Sequence, residues 1–230
     1  MRLTKRLQAL LGSATLLLGS IAHAGALDAL KDFVANTKTG KTTFTQRIVK
    51  SDGRISQTAS GIFEVARPGK FRWSYTKPYE QELVGDGVTL WIYDKDLNQV
   101  TSKKLGDALG ASPAAILSGA GDLEKNFTLK ESASLPTSPS ASPSKPMEWV
   151  EAIPKGKDTG FDIVRLGFVK ADAAGAQSAQ SAQYVLAAME LKDSFGQVSV
   201  LNFGEFQRNP VFAEGTFVFV APKGADVLKQ

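Results

Sequence analysis

The chain has 230 residues, a formal net charge of +4 and no cysteine, and His23 is its single histidine. The absence of cysteine excludes thiol nucleophiles. If His23 is removed with an N-terminal signal peptide, histidine-based triads and the usual zinc and blue-copper ligand sets are excluded as well. We therefore expect no enzymatic activity, no catalytic residue, no metal site and no cofactor, although a carboxylate-pair hydrolase stays open. A charge this small, without a block of basic residues, argues against a nucleic-acid partner.

The first 24 residues have the pattern of a secretory signal peptide. Three basic residues precede an apolar run at 10–22, and Ala22-His23-Ala24 has the form of a cleavage site. The run is too short for a spanning helix, and no cysteine follows it to carry a lipid. We predict cleavage after Ala24, export of a protein that does not span the membrane, and a single domain over residues 25–230.

The segment after the signal predicts one helix and two strands. Leu27, Leu30, Phe33 and Val34 recur at helical spacing, so residues 26–37 are predicted as an amphipathic helix. Two runs rich in β-branched residues, at 41–50 and 55–66, predict strands that are joined by a turn at 52–53.

Residues 61–100 contain two of the three tryptophans and three of the four tyrosines, in four strand-like runs separated by Pro and Gly turns. In the run 71–76, Phe71, Trp73 and Tyr75 alternate with polar residues and are predicted to point to one face of the sheet. This aromatic face packs either against the protein's own core or against a ligand.

A short apolar helix is predicted at 114–118. Ser112 can cap it, Pro113 suits its first turn, and Gly119 closes it. Glycines isolate this helix on both sides, so it is either a connector or a cover that moves as a unit. The residues alone leave both interpretations open.

The remaining chain predicts further short strands, at 126–130, 147–153, 161–170, 184–192, 197–206 and 215–220. Two low-complexity segments, 131–146 and 171–183, are predicted to be flexible insertions. About eleven short antiparallel strands with two or three short helices indicate a mainly β fold, either a strongly curved sheet or an open barrel. The interior of such a barrel holds a ligand or is filled by helices.

Motifs for phosphate, calcium and acyl-transfer chemistry are incomplete. The segment 40–42 ends like a P-loop but lacks the first glycine of that motif. The segment 94–98 opens like a calcium loop but lacks the required Gly and the closing Glu. Ser112 has no histidine to activate it. No catalytic motif survives this comparison.

Several longer motifs together resemble the LolA family of periplasmic outer-membrane lipoprotein carriers. The resemblance covers most of the chain outside the signal and the two insertions. It rests on Phe44-Thr-Gln46, G-x-F-x-x-x-R-P-G-x-F-x-W at 61–73, P-x-E-Q-E-L-V-G-D-G-x-T-L-W-x-Y at 78–93, the Ser112-Pro113 helix, Asp193-x-Phe-Gly-Gln197, Asn209-Pro210 and F-x-F-x-A-P-x-G-A-D-V at 217–227.

The resemblance implies an unclosed half barrel of about eleven strands, with short helices as a lid over an apolar cavity. It implies that Arg67 is a latch that bonds the lid backbone, and that Phe71 lies at the cavity entrance and serves exchange with the transporter. From the residues alone, Arg67 would be a surface charge at the end of a strand. Our selection for the acyl-chain lining, for which ordinary core is the alternative, is Leu30, Phe33, Phe63, Trp73, Leu90, Ile92, Ile116 and Leu117.

The partners that the resemblance implies are acylated outer-membrane lipoproteins, the inner-membrane exporter LolCDE and the outer-membrane receptor LolB. We expect a monomer in the periplasm that takes lipoproteins from LolCDE and delivers them to LolB. The alternative is a periplasmic lipid-responsive regulatory module on the same curved sheet, which would bind a signalling partner and carry nothing onward. An enzyme acting on lipid or glycan is a third interpretation.

Overall fold

The computed structural model describes residues 25–107, 113–119, 123–132, 146–156, 159–171 and 184–230. The predicted signal peptide, Ser112 and most of the two predicted insertions lie outside these ranges. The elements in chain order are α1 (Ala26–Asn36), β1 (Thr39–Val49), β2 (Ile55–Ala66), β3 (Lys70–Lys77), β4 (Gln81–Asp86), β5 (Thr89–Asp94), β6 (Gln99–Lys104), α2 (Pro113–Leu117), α3 (Leu123–Asn126), β7 (Phe127–Ser132), β8 (Glu148–Pro154), β9 (Ile163–Lys170), β10 (Tyr184–Lys192), β11 (Val198–Phe203), β12 (Gln207–Arg208) and β13 (Asp226–Lys229).

These strands form one strongly curved sheet in the order β13-β6-β5-β4-β3-β2-β1-β11-β10-β9-β8-β7, and the two-residue strand β12 pairs with β1. The pairings are antiparallel except that of β13 with β6, which is parallel. In the described part of the chain, β13 and β7 are the two edges and do not pair with one another. The predicted half barrel is therefore confirmed, with eleven longer strands and two short additional ones.

The concave face of the sheet carries the aromatic residues that the alternation predicted. Phe71 and Trp73 are buried while Arg72 and Ser74, between and beyond them, are not. The ring of Trp73 lies 4.7 Å from that of Phe63 and 5.0 Å from that of Phe44, measured between centroids. Contacts of this kind between rings add to the stabilisation from burial. The interior of the half barrel is thus a packed core.

Two glycines allow strands and turns to approach closely around this core. A Cβ on Gly85 of β4 would lie 2.4 Å from the ring of Phe71, so only glycine leaves room for that ring. Gly69, in the turn between β2 and β3, has a φ of +73°, a left-handed conformation that favours glycine. The close approach at Gly85 allows Phe71 to be fully buried.

The helices cover the concave face. Helix α1 buries Ala26, Ala29, Leu30 and Phe33 and packs against β7 to β10. Helix α2 packs near β3, and its Ile116 and Leu117 join the same core. The ring of Phe33 lies 5.6 Å from that of Phe168 on β9. We call α1 and α2 the lid, because together they close the concave side of the sheet.

Two predictions from the sequence are wrong, and one strand was missed. Residues 215–220 do not form a strand: Gly215 has a φ of +82°, and its carbonyl accepts a turn hydrogen bond of 2.9 Å from the Val218 amide. Strand β13 was not predicted, because all four of its residues are exposed and show no alternation. Residues 131 and 132, assigned to an insertion, belong to β7, where they pair with β8.

Candidate functional site

Arg67 connects the two helices of the lid. It follows β2 at the turn into β3, and its Nη1 donates a hydrogen bond of 2.7 Å to the carbonyl of Thr37, directly after α1. Its Nη2 donates one of 2.8 Å to the carbonyl of Leu117, the last residue of α2. A cation is favoured at these positions, because the carbonyl ends of helices carry partial negative charge. One side chain therefore bridges the C-terminal ends of both helices.

The same guanidinium is partly removed from water. It lies 4.9 Å from the centroid of the Phe33 ring, within the range of a cation–π contact. Burial, and secondly the positive charge of Arg208, lowers the pKa of Arg67 to about 10. Arg67 therefore stays protonated at neutral pH, and its enclosure carries a desolvation cost that its hydrogen bonds offset.

Arg208 and Asp32 lie beside this bridge. Arg208 donates to the carbonyl of Tyr184 and lies 3.7 Å from the carboxylate of Asp32. Burial lowers the pKa of Arg208, and Asp32 acts in the opposite direction. Nε of Arg67 and both Nε and Nη1 of Arg208 have no hydrogen-bond partner among the described protein atoms. The hydrogen bonds of the closed lid are thus accompanied by two partly buried guanidinium groups whose nitrogens are incompletely bonded.

An apolar cleft of about 850 Å³ opens beside the bridge, between α1, the end of α2, α3 and β7. Lys31, Glu124 and Lys155 stand among its polar lining residues, and Lys155 donates a hydrogen bond of 2.7 Å to the carbonyl of Glu124. Arg67 also lines the cleft. The apolar lining residues among those described are Leu27, Leu30, Val34, Ala35, Pro68, Leu123, Phe127 and Leu129.

The predicted site residues are distributed between this cleft and the core. Leu30 lines the cleft, whereas Phe71 is fully buried and does not. Ile92 is partly buried and packs against the core. The other selected residues belong to the buried core, namely Phe33, Phe63, Trp73, Leu90, Ile116 and Leu117.

Sequence reasoning missed most of the cleft. Leu123, Phe127 and Leu129 lie around the α3–β7 junction. Helix α3 was not predicted from the sequence. Lys31 of α1 also lines the cleft and was not among the selected residues. The alternation of Phe127 and Leu129 along β7 was the one available signal, since it places both side chains on the same face.

The opposite end of the half barrel has smaller, more polar clefts, of about 520 and 390 Å³. Tyr75 and Gln46 line both of them, and the Tyr75 hydroxyl donates a hydrogen bond of 2.9 Å to Oε1 of Gln46. Burial raises the pKa of Tyr75 to about 12, against a smaller opposing effect from Trp73. This pair separates the aromatic core from solvent at that end.

Among the described residues, no group of three or more His, Cys, Asp or Glu side chains is placed to hold a metal ion. Within the same ranges, none of the helices has the length and apolar character that crossing a membrane would require. The chemistry that the site offers is apolar contact inside the cleft, with cations at its edge.

A curved half barrel whose helical lid borders an apolar cleft defines a protein that binds apolar ligands. Residues 35–220 match the family model described as outer membrane lipoprotein carrier protein LolA. Over 214 residues the chain is 47% identical to an outer-membrane lipoprotein carrier protein of Dechloromonas aromatica (strain RCB), covering 93% of this chain and 92% of that protein. The chain belongs to the LolA family.

A second relative supports the family assignment, and a solved structure supports the fold. A carrier protein of the same description from Cupriavidus necator is 49% identical over 212 residues, which cover 91% of this chain and 90% of the relative. The crystal structure of an uncharacterized conserved protein from Thermus thermophilus superposes with a TM-score of 0.53 at 15% identity, covering 89% and 99% of the two chains. The latter likeness concerns the fold alone. The family is one of carriers rather than enzymes, as the sequence led us to expect.

Proposed function

We propose that this protein carries outer-membrane lipoproteins by holding their acyl chains under its lid. In this proposal it receives them from the inner-membrane exporter LolCDE and delivers them to the receptor LolB at the outer membrane. The observation that carries the proposal is the apolar cleft bordered by Arg67, whose guanidinium joins the carbonyl ends of both lid helices. The carrier names of the relatives support lipoprotein as the cargo.

The proposed place of action is the periplasm, since carriers of outer-membrane lipoproteins work between the two membranes. Export would depend on the N-terminal segment, with cleavage after Ala24. Cleavage there leaves a chain without histidine or cysteine.

A carrier has to bind acyl chains without holding them too tightly. Burial contributes about 0.8 kcal/mol per CH₂, so complete burial of the long acyl chains of a triacylated lipoprotein would amount to tens of kcal/mol. Such a complex would not release its cargo on a useful timescale. A cleft that is open to solvent on one side buries the chains only partly. The cleft beside α1 is open in this way.

The closed lid also lowers the affinity for cargo. When cargo enters, the two hydrogen bonds from Arg67 to the helix ends break, and this cost reduces the net affinity. Hydrogen bonds from a charged group contribute about 1.5–3 kcal/mol each. As a latch, Arg67 therefore favours the empty, closed state. It promotes release of the cargo to an acceptor that binds the cargo more tightly.

Phe71 has a different proposed role. In the closed arrangement it belongs to the core, at the start of β3 and four residues from Arg67. Movement of the lid away from β3 would bring Phe71 to the entrance of the enlarged cavity. In the proposal it takes part in exchange with the transporter at that stage.

The test is purification of the exported protein from the periplasm without detergent, followed by mass spectrometry for fatty-acylated species. We expect N-acylated lipoproteins to copurify. A stable, stoichiometric partner protein without acyl chains would instead support a regulatory module and contradict the carrier function.

A further inference from the structure

The last part of the chain forms a strap, which we define as residues 209–230. It crosses the outer face of the sheet, where Arg72 Nε donates a hydrogen bond of 2.8 Å to the carbonyl of Thr216 and the ring of Phe219 stacks on that of Trp91 at 5.5 Å. The strap ends in β13, which pairs with β6 at the edge of the sheet. It is therefore held along most of its length by contacts outside the cleft.

The first residue of the strap contacts the lid. The Oδ1 atom of Asn209 accepts hydrogen bonds from the amides of Lys38 at 2.8 Å and Thr39 at 3.2 Å. Its Nδ2 donates one of 2.9 Å to the carbonyl of Asn36, the last residue of α1. The Asn209 side chain thus bonds both the end of α1 and the residues that lead into β1.

Backbone and neighbouring contacts reinforce this attachment. The Asn209 amide donates a hydrogen bond of 2.8 Å to the carbonyl of Thr39, and the Thr39 hydroxyl donates one of 2.7 Å to the carbonyl of Pro210. Thr37, inside the same connection, supplies the carbonyl that accepts from Arg67. Arg67 and Asn209 therefore hold one short segment from two directions.

We propose that Asn209 is a positioning residue that fixes the pivot of lid helix α1, so that the Thr37 carbonyl stays within reach of Arg67. Opening of the lid requires α1 to turn about the connection that Asn209 holds. The strap thereby ties the position of the lid to the outer face of the sheet. This inference rests on the proposed function, in which movement of the lid admits cargo.

The backbone of Asn209 permits a clean test. Asn209 and Asn98 are the two non-glycine residues with positive φ in the described ranges, at 56° and 47°. Because glycine adopts such angles without strain, Asn209→Gly removes the side-chain bonds while the backbone conformation stays allowed. Asn209→Asp keeps an acceptor for the amides of Lys38 and Thr39 but loses the donor to Asn36.

Asn98→Gly is the matched control. The Nδ2 atom of Asn98 donates a hydrogen bond of 3.0 Å to the carbonyl of Gly224, near the far end of the strap. The substitution makes the same chemical change at the same type of backbone angle, away from α1. A general weakening of the strap would affect both variants, whereas loss of the pivot affects only Asn209→Gly.

The experiment is hydrogen exchange of the free protein, read at the amides of 30–33 in α1, which Asn209 does not bond directly. We expect Asn209→Gly to raise their exchange about tenfold or more, since three hydrogen bonds are lost. Asn209→Asp should give a smaller increase, and Asn98→Gly should leave these amides within about twofold of the wild type. The amides of 42–49 in β1 and those of β2 and β10, which Asn209 does not bond, should keep their rates in all three variants.

Coupling to Arg67 distinguishes positioning from a local structural role. If Asn209 acts through the bridge, Arg67→Leu combined with Asn209→Gly should accelerate α1 exchange by less than the product of the two separate factors. Independent factors that multiply, unchanged α1 exchange in Asn209→Gly, or equal acceleration of α1 and the sheet would each overturn the proposal. None of these results concerns cargo, so the carrier function is judged separately by copurification.

Discussion

Arg67 donates a 2.8 Å hydrogen bond to the carbonyl of Leu117, fifty residues further along the chain. The same guanidinium reaches Thr37, thirty residues earlier. Two helices that lie far apart in the sequence are thus joined by one side chain from a strand turn. A bridge of this kind can be broken without unfolding the sheet, which makes it suitable for a lid.

Arg67→Leu tests the bridge through delivery. Loss of two charge-assisted hydrogen bonds should destabilise the closed lid by several kcal/mol, at about 1.5–3 kcal/mol per bond. We expect loading with lipoprotein to persist and transfer to the receptor to fall at least tenfold, measured as cargo released from the purified complex. Arg54→Leu is the control, because Arg54 is an exposed arginine paired with Asp52 in the β1–β2 turn. Unchanged transfer in Arg67→Leu would show that the latch role is wrong.

Gly85→Ala tests the packing around Phe71. The added Cβ would lie 2.4 Å from the Phe71 ring, so the ring or strand β4 has to shift. We expect a decrease in the free energy of unfolding of about 1–3 kcal/mol, measured by denaturant titration. At Gly106 an added Cβ meets nothing within 4 Å, and Gly106→Ala should be close to neutral. Equal stability of the two variants would contradict a rigid core at Phe71.

Tyr75 should make stability fall at high pH. Burial raises its pKa from 10.0 to about 12, so the unfolded state loses its proton first as pH rises through this interval. The contribution of Tyr75 to the free energy of unfolding is complete below about pH 10. It decreases by about 2–3 kcal/mol toward pH 12. Tyr75→Phe should lack this decrease in denaturant titrations across the range, while Tyr79→Phe, at an exposed tyrosine, should retain it. The same slope in Tyr75→Phe and wild type would refute the assignment.

Removal of residues 226–230 should expose the edge of the sheet. Strand β13 pairs with residues 99–102 of β6, and without it that backbone edge is free to pair with another molecule. We expect concentration-dependent association of the truncated protein in sedimentation experiments. A full-length double variant, Val227→Ala with Leu228→Ala, keeps the backbone pairing and should stay monomeric. Association of the double variant alone would assign the effect to side chains instead.

The sequence was most informative where one face of a strand is buried. Strands β2 and β10 were predicted with the bounds that the structure has, Ile55–Ala66 and Tyr184–Lys192. In both, apolar residues face the core; Asp and Gly mark the turn before β2 and the turn after β10, and Pro and Gly mark the turn after β2. The same alternation misled at 215–220, because Phe217 and Phe219 pack as a strap on the outside of the sheet, Phe219 on Trp91 and Phe217 on Phe212.

The site was harder to predict because its key partners are backbone atoms. The carbonyls of Thr37 and Leu117 carry no residue-specific signal, so no pattern in the sequence links them to Arg67. The cleft has the same limitation, since its lining comes from α1, the β2–β3 turn and the α3–β7 junction, which only the folded sheet brings together. The family resemblance supplied the latch role of Arg67 as a prediction, and the Arg67→Leu variant tests it.

Crosslinking from inside the cleft tests acyl-chain binding most directly. A photoreactive residue at Leu30, which lines the cleft, should crosslink to the acyl chains of lipoproteins in intact cells. The same residue at Val88, exposed in the turn between β4 and β5, should give no acyl crosslink. Crosslinks from Leu30 alone are the expected result. Acyl crosslinks at Val88 with none at Leu30 would place the lipid elsewhere and contradict the proposed carrier site.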